Sequence, residues 1–400
     1  MSEVLTPIHE LPPIDPERDR RAIAQIGDAA TRLINRHTNP ARFKEDPEFS
    51  DLNAVITSYM GDEPRWTAAE VTPWSLAENF RTDFLNDFPE NAFPEVVKDV
   101  FIVGYVTEEL LPEYHLVIDK RLGSVSEPLW FWTRIWTFEE GEHSKGVEGI
   151  IIVNKMIHPK ELAMIRRNAL LRGRTPQPNT SIETLAYTKD QEKATLVTHN
   201  NAGILLTQGY GTDSSVVKLV EDGTKLIDID EETLRNLDRD EKAAYGRQTG
   251  RATQKRISGD EARHHLVKEG LFLEVQKIDP SLAICAYERK LREFQMPGAG
   301  IDNFMRRAAR IAMAGVYDPI LHLEEVVKPS LEKMDITNLE GLDSEGEKAR
   351  ERIMIHVQQL EEKAKEFKAK RDEHRANVIA SGNPKKEIWV PEKIKKKVTS

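Results

Sequence analysis

Two tetrapeptides carry the most specific chemistry in the chain: Glu140-Gly-Glu-His143 and Glu261-Ala-Arg-His264, each a Glu-x-x-His. On an α-helix, positions i and i+3 share a face about one turn apart, so a carboxylate and an imidazole can reach one ion. One such tetrapeptide is common by chance, whereas two copies in separate apolar segments are not. A helical bundle that holds two metals also needs one carboxylate from each of two further helices. Glu108, in Val106-Thr-Glu-Glu-Leu-Leu111, and Glu192, in Tyr187-Thr-Lys-Asp-Gln-Glu-Lys-Ala-Thr195, supply them. The chain order is then Glu, Glu-x-x-His, Glu, Glu-x-x-His, which makes two similar halves. Four carboxylates with two neutral imidazoles carry four negative charges. Two ferrous ions cancel that charge, so the group can be buried. Such ligands suit iron and manganese and leave coordination positions open, while zinc prefers a tetrahedron with fewer ligands.

Neighbouring residues compete for these roles. Glu109 and Glu139 adjoin two chosen ligands, and a rotation by one residue exchanges them. Glu140 is preferred because it gives the same spacing in both halves. Some glutamates of these helices must be ordinary surface residues, and Glu142 reads as solvated or paired with a lysine. His265 is the alternative to His264 at i+4. His199 reads as a satisfied helix histidine rather than a ligand. Trp130, Phe131, Trp132, Trp136 and Phe138 read as core, able near a metal to form a dry shell or an electron route. Pro112 has no N–H, so the carbonyl of Glu108 loses its helical partner and a kink or bulge is expected at that ligand. The chain contains no Gly-x-Ser-x-Gly and no dinucleotide fingerprint, and Gly209-Tyr-Gly211 lacks the Lys-Ser/Thr ending of a phosphate loop.

The elements that must position these residues are helices. Apolar residues recur at helical spacing, and strand signals are scarce. The pattern predicts helices over 94–122, 126–156, 159–172, 180–208 (capped by Thr180 or Ser181), 251–277, 280–293 and 300–315. A further helix over 345–378 is charged, with one narrow apolar stripe, and reads as a solvated outer helix or a coiled-coil arm. Residues 212–246 are acidic and punctuated by Gly and Asp, and look inserted between two strong helices. The resulting division is an N-terminal extension with a helix over 1–70, a di-iron bundle over 71–330 and a charged helix with a basic tail over 331–400. The fold class expected is all-α, a ferritin-like di-iron helical bundle with extra flanking helices.

Of the 400 residues, 39% are hydrophobic and 31% charged, which suits a globular chain. A net charge of −10 disfavours wholesale nucleic-acid binding. The single cysteine, Cys285, excludes an internal disulfide and any cysteine-rich metal site. No run approaches the length of a membrane span, and the N-terminal residues lack signal or transit features, so a cytoplasmic protein is expected.

These motifs together resemble the soluble acyl-[acyl-carrier-protein] desaturases, the type 2 fatty acid desaturases, of bacterial type. Thr107-Glu-Glu-Leu-Leu-Pro112 is similar to their Thr-Glu-Glu-Ala-Leu-Pro, and Gln191-Glu-Lys-Ala-Thr195 to Gln-Glu-Arg-Ala-Thr. The stretch from Phe131 to His143 resembles their Trp-Thr-Arg-Ala-Trp-Thr-Ala-Glu-Glu-Asn-Arg-His, and Asp260-Glu-Ala-Arg-His264 their Asp-Glu-Lys-Arg-His. Met296-Pro-Gly-Ala-Gly300 and the segment from Gly341 to Ala349 also fit, so the likeness covers roughly residues 70–365. The resemblance implies a ferritin-like homodimer that desaturates acyl thioesters on acyl carrier protein, with ferredoxin as electron donor. It implies that Glu108, Glu140, His143, Glu192, Glu261 and His264 hold two iron ions. It also implies that Thr195 assists the oxygen chemistry, that Asp260 holds a histidine ligand, and that Trp74 is a tryptophan just outside the ligands. Glu142 stands where the family usually has a non-acidic residue, and the Glu192–Glu261 connector is longer than the family's, which leaves substrate and regiochemistry open. A deep apolar channel, lined partly by the aromatics of 130–138, is expected beside the iron. An acidic carrier calls for a basic rim, for which Arg166, Arg167, Arg172, Arg174 and the lysine tail are candidates. The alternatives on the same scaffold are a di-iron hydroxylase or oxidase and a non-enzymatic iron-storage or iron-sensing protein.

Overall fold

A computed structural model describes residues 5, 7–37, 66–77, 93–125, 127–172, 178–208, 236–382 and 389–390. Among them there is no strand, and the helices run α1 (Pro16–His37), α2 (Glu95–Glu109), α3 (Leu111–Ile118), α4 (Glu127–Val153), α5 (Pro159–Arg172), α6 (Ser181–Thr207), α7 (Arg239–Ile278), α8 (Pro280–Arg292), α9 (Phe304–Met313) and α10 (Ser344–Ala380). Among the described residues no helix is long and apolar enough to cross a membrane.

The single helix expected over 94–122 is three pieces. Leu110, at φ −79° and ψ 4°, separates α2 from α3, and α3 runs on into a π turn over Asp119–Gly123. Pro112 sits in the first turn of α3, where its missing N–H costs least. The break follows Glu108 by two residues. Its carbonyl is instead faced by the Leu110 N–H and, at 3.4 Å, by the Tyr114 hydroxyl.

Helix starts are fixed by side chains. Thr180 caps α6, accepting from the Glu183 N–H at 3.3 Å. Asp19 on α1 also accepts from the Ser181 and Ile182 N–H groups at 3.0 and 2.8 Å, so α1 is tied to the start of a ligand helix. Asp238 and Glu241 form a reciprocal capping box at the start of α7. Residues 239–246 are therefore the first turns of a helix that carries candidate ligands, while 212–235 of the expected insertion lie outside the described residues. Along α6 and α7 the backbones come close. A Cβ at Gly250 would lie 2.6 Å from Leu206 Cδ2 and 3.1 Å from Ile150 Cγ2, so a side chain there requires the packing around it to shift.

Two apolar clusters flank a polar layer. The first joins Leu129, Trp132 and Trp136 of α4, Ile182 and Leu185 of α6, Leu271 and Val275 of α7, α8, and Ile23 and Ile26 of α1. The second joins α2, Val147, Ile150 and Ile151 of α4, Leu205 and Leu206 of α6, Ile257 of α7, and Ile311 of α9. On α4, α6 and α7 the predicted ligands fall between the two. Helix α10 is no free arm: Ala349, Ile353, Val357 and Ala364 are buried in the first cluster, and the buried Arg371 pairs with Asp318 at 2.8 Å. A stripe too narrow to predict burial is enough because small alanines let α10 approach closely.

Candidate metal centre

The polar layer brings all six predicted ligands together. Glu108, Glu140, His143 and Glu261 each offer an atom within 4.8 Å of the others, and so do Glu140, Glu192, Glu261 and His264. Glu140 and Glu261 belong to both groups, with Glu108 and His143 at one end and Glu192 and His264 at the other, so these two glutamates are the ones that could be shared between two ions. All six side chains are buried.

Each ligand is held from outside by one atom while another faces the centre. His143 Nε2 lies 3.1 Å from Asp260 Oδ2, and its Nδ1 lies 3.3 Å from Glu261 Oε1. His264 Nε2 lies 2.9 Å from Glu139 Oε2, and its Nδ1 lies 3.0 Å from Glu140 Oε1. Glu108 Oε1 is 3.0 Å from His199 Nε2. Glu192 Oε1 is contacted by Lys268 Nζ and lies 3.3 Å from the donor Trp136 Nε1. Glu261 Oε2 accepts from the Thr195 hydroxyl at 2.7 Å, and Glu140 Oε2 lies 3.4 Å from the Tyr114 hydroxyl. The inward atoms Glu140 Oε1, His143 Nδ1, Glu192 Oε2 and Glu261 Oε1 make no hydrogen bond, although buried polar atoms normally do. Orphaned atoms of the right types converging on one space are what a pair of divalent ions would satisfy.

The electrostatics point the same way. Burial and the charge of Glu140 push Glu108 well above the usual carboxylate range, and burial with the charges of Glu192 and Glu140 does the same to Glu261. Glu192 is held well below that range: burial opposes this, but the charge of Lys268 and the contacts with Glu261 and His264 together outweigh it. Burial lowers His199 to about 4, so it is a neutral imidazole. Unlike-shifted carboxylates in one closed cluster mark repulsion that a metal relieves.

Several of these partners are not assigned by sequence reasoning. Glu139, the alternative to Glu140, is buried and orients His264, as Asp260 orients His143. Each acid stands immediately before a Glu-x-x-His and serves the histidine of the other motif. The sequence signal was therefore an acid-Glu-x-x-His doublet. Arg263 bridges the two acids, at 3.2 Å from Glu139 and in closer contact with Asp260. The tryptophan that reaches Asp260 and His143 is Trp66, not Trp74. Trp66 Nε1 donates to Asp260 at 2.8 Å and its ring stacks on His143, whereas Trp74 is 47% exposed. Nothing in the local sequence separates the two. His199 is satisfied as expected, but by Glu108 and Gln254. His265 turns away, its Nδ1 facing the Lys189 carbonyl at 2.7 Å. Glu142 accepts from the Ala68 N–H at 2.8 Å and pairs with Lys145.

An apolar cavity of about 100 Å³ adjoins the cluster. Val100, Val103, Gly104 and Thr107 of α2 form one wall, Phe304, Ala308 and Ile311 of α9 another, and Glu108, Thr195 and His199 its inner end. The expected lining by the aromatics of 130–138 does not occur there. Trp132 and Trp136 pack in the first apolar cluster instead. Of the candidate basic rim, Arg166 pairs with Glu109 and Arg167 is exposed. The Arg172 side chain, Arg174 and the lysine tail lie outside the described residues.

A family model described as fatty acid desaturase matches residues 50–224 and 237–381. The chain is 26% identical over 326 residues to DesA1 of Mycobacterium tuberculosis, named as an acyl-[acyl-carrier-protein] desaturase, covering 78% of this chain and 84% of that one. It is 22% identical over 334 residues to the chloroplastic stearoyl-[acyl-carrier-protein] 9-desaturase of Gossypium hirsutum, covering 78% and 74%. The X-ray structure of the acyl-ACP desaturase DesA2 from M. tuberculosis H37Rv matches with a TM-score of 0.44 and 18% identity, covering 70% of this chain and 94% of that one.

Proposed function

Because the chain belongs to the fatty acid desaturase family, we propose that it inserts a double bond into a saturated acyl chain carried as a thioester on acyl carrier protein, with dioxygen as oxidant and ferredoxin as electron donor. Glu108, Glu140, His143, Glu192, Glu261 and His264 would hold two iron ions. Those ions, when bound, supply the oxygen activation needed to take hydrogen from an unactivated methylene.

The observation that carries this reading is the apolar cavity whose inner end is Glu108, Thr195 and His199. An alkyl chain has no polar group to recognise, so it must be held by shape and apolar contact. At about 100 Å³ the cavity has room for only a short segment of chain around the reacting carbons. Thr195 stands at the junction: the residue lines the cavity and its hydroxyl touches Glu261 Oε2. It can pass a proton between substrate side and ligand without admitting bulk water. The packed face of Trp136 closes the opposite side and keeps the layer dry. An iron-storage role would leave the cavity without a purpose.

The test is anaerobic iron loading, then reduced ferredoxin, oxygen and a panel of acyl-carrier-protein thioesters, with products located by mass spectrometry. An alkene from at least one chain length is expected. An alcohol would reassign the protein as a hydroxylase, and no product from any chain would sink the desaturase reading.

A further inference from the structure

The two ends of the cluster are built alike from inside but not from outside. Glu108 and Glu192 are equivalent by chain order, and each has one oxygen tied from behind. Behind Glu108 stands His199, an imidazole that also faces Gln254 Oε1 at 2.8 Å. Behind Glu192 stands Lys268, which is completely buried. Its Nζ lies 4.4 Å from the centre of the Trp136 ring and 5.9 Å from that of Trp132. Among the described residues Glu192 is its one carboxylate partner. A buried ammonium needs such a partner, because desolvation without one is prohibitive. Lys268 stands four residues after His264 on α7, so it flanks the same end of the cluster that His264 builds.

Charge makes the difference consequential. The layer holds six carboxylates, the four ligands plus Asp260 and Glu139, and two fixed cations, Arg263 and Lys268. Arg263 is shared by the two outer acids and so touches both ends. Lys268 acts at one end alone. A metal bound by Glu192 must share that carboxylate with a positive charge a few ångströms away, in a medium that screens poorly. Among the described residues Glu108 pairs only with imidazoles, His143 and His199, and with no lysine or arginine.

We propose that Lys268 is an internal counter-cation that makes the two metal positions unequal: it stabilises Glu192 in the metal-free protein and weakens the position built by Glu192 and His264 relative to that built by Glu108 and His143. Lys268 is thus a positioning residue, acting through Glu192, and metals load in order. This inference rests on the metal reading of the cluster.

The experiment is anaerobic titration of the metal-free full-length protein with Fe²⁺, followed by equilibrium dialysis and metal analysis. Two steps separated by about tenfold or more in affinity are expected. In Lys268→Met the weaker step should tighten and the two should merge, while Lys268→Arg should keep them apart. Glu192→Gln should abolish the weaker step and Glu108→Gln the stronger, which tests the order without altering Lys268. Thermal melting supplies a readout that a merely structural lysine would not give. Lys268→Met should lower the melting temperature of the metal-free protein and raise that of the loaded one. Equal losses in both states, or two equal steps in the wild type, overturn the inference while leaving the metal reading intact. Absence of any bound Fe²⁺ overturns both.

Discussion

The two apolar clusters on either side of the acidic layer are made of similar residue types but do opposite jobs. On the first side, Trp132, Trp136, Phe272 and Tyr287 fill the space between α4, α6, α7 and α8, and cations close what remains over their rings. On the second, α2 and α9 leave an apolar gap in which a glycine and an alanine, Gly104 and Ala308, stand where larger residues would fill it. A Cβ placed on Gly104 meets nothing within 4 Å. Packing density, not hydrophobicity, separates a wall from a cavity here.

That contrast can be tested in order of expected effect. Breaking the layer itself should be the most damaging. Glu261→Ala removes a bridging ligand and the Thr195 contact, and should lower metal content and desaturation by more than roughly a hundredfold, since loss of an outer partner alone costs 10–100-fold. Metal analysis beside product assay checks this. On the packed side, Trp136→Ala should cost about 3–5 kcal/mol of stability, read from the denaturant midpoint. A loss under about 1 kcal/mol would mean that this side is not the wall described. At the outer contacts, Asp260→Asn and Glu139→Gln should each weaken metal binding by about 10–100-fold with little change in helix content, measured by metal-competition titration. On the open side the sign should reverse. Gly104→Ala should stabilise the protein by about 0.4–1 kcal/mol, because α2 gains a better helix former at no steric cost. It should also slow turnover of the best acyl substrate, because the cavity narrows. A stabilised variant with unchanged activity on every chain length would show that the substrate lies elsewhere.

Much of the fold was legible because helix signals are local. The spans of α4, α5, α6 and α8 follow from apolar spacing, and Thr180 announced the start of α6. Pro112 announced the break after Glu108, though not that α3 would follow and tighten into a π turn. The burial of α10 was not legible, since a narrow stripe with alanines looks the same on a free arm and on a docked helix. Trp66 and Trp74 could not be told apart for a similar reason. Which indole reaches Asp260 depends on how the chain before α2 lies across α4 and α7, and no local pattern records that.

By itself the sequence determined the candidate donors: four carboxylates and two imidazoles, in tandem order, at spacings that put each Glu-x-x-His pair on one helical face. Those are properties of 3.6 residues per turn and of charge, and they hold before any helix meets another. Only the tertiary structure decided that each motif's leading acid serves the other motif's histidine, that the open space lies on the α2–α9 side, and that Lys268 rather than a second imidazole stands behind Glu192. Each depends on the rotation and register of helices far apart in the chain, which close packing sets and local spacing cannot.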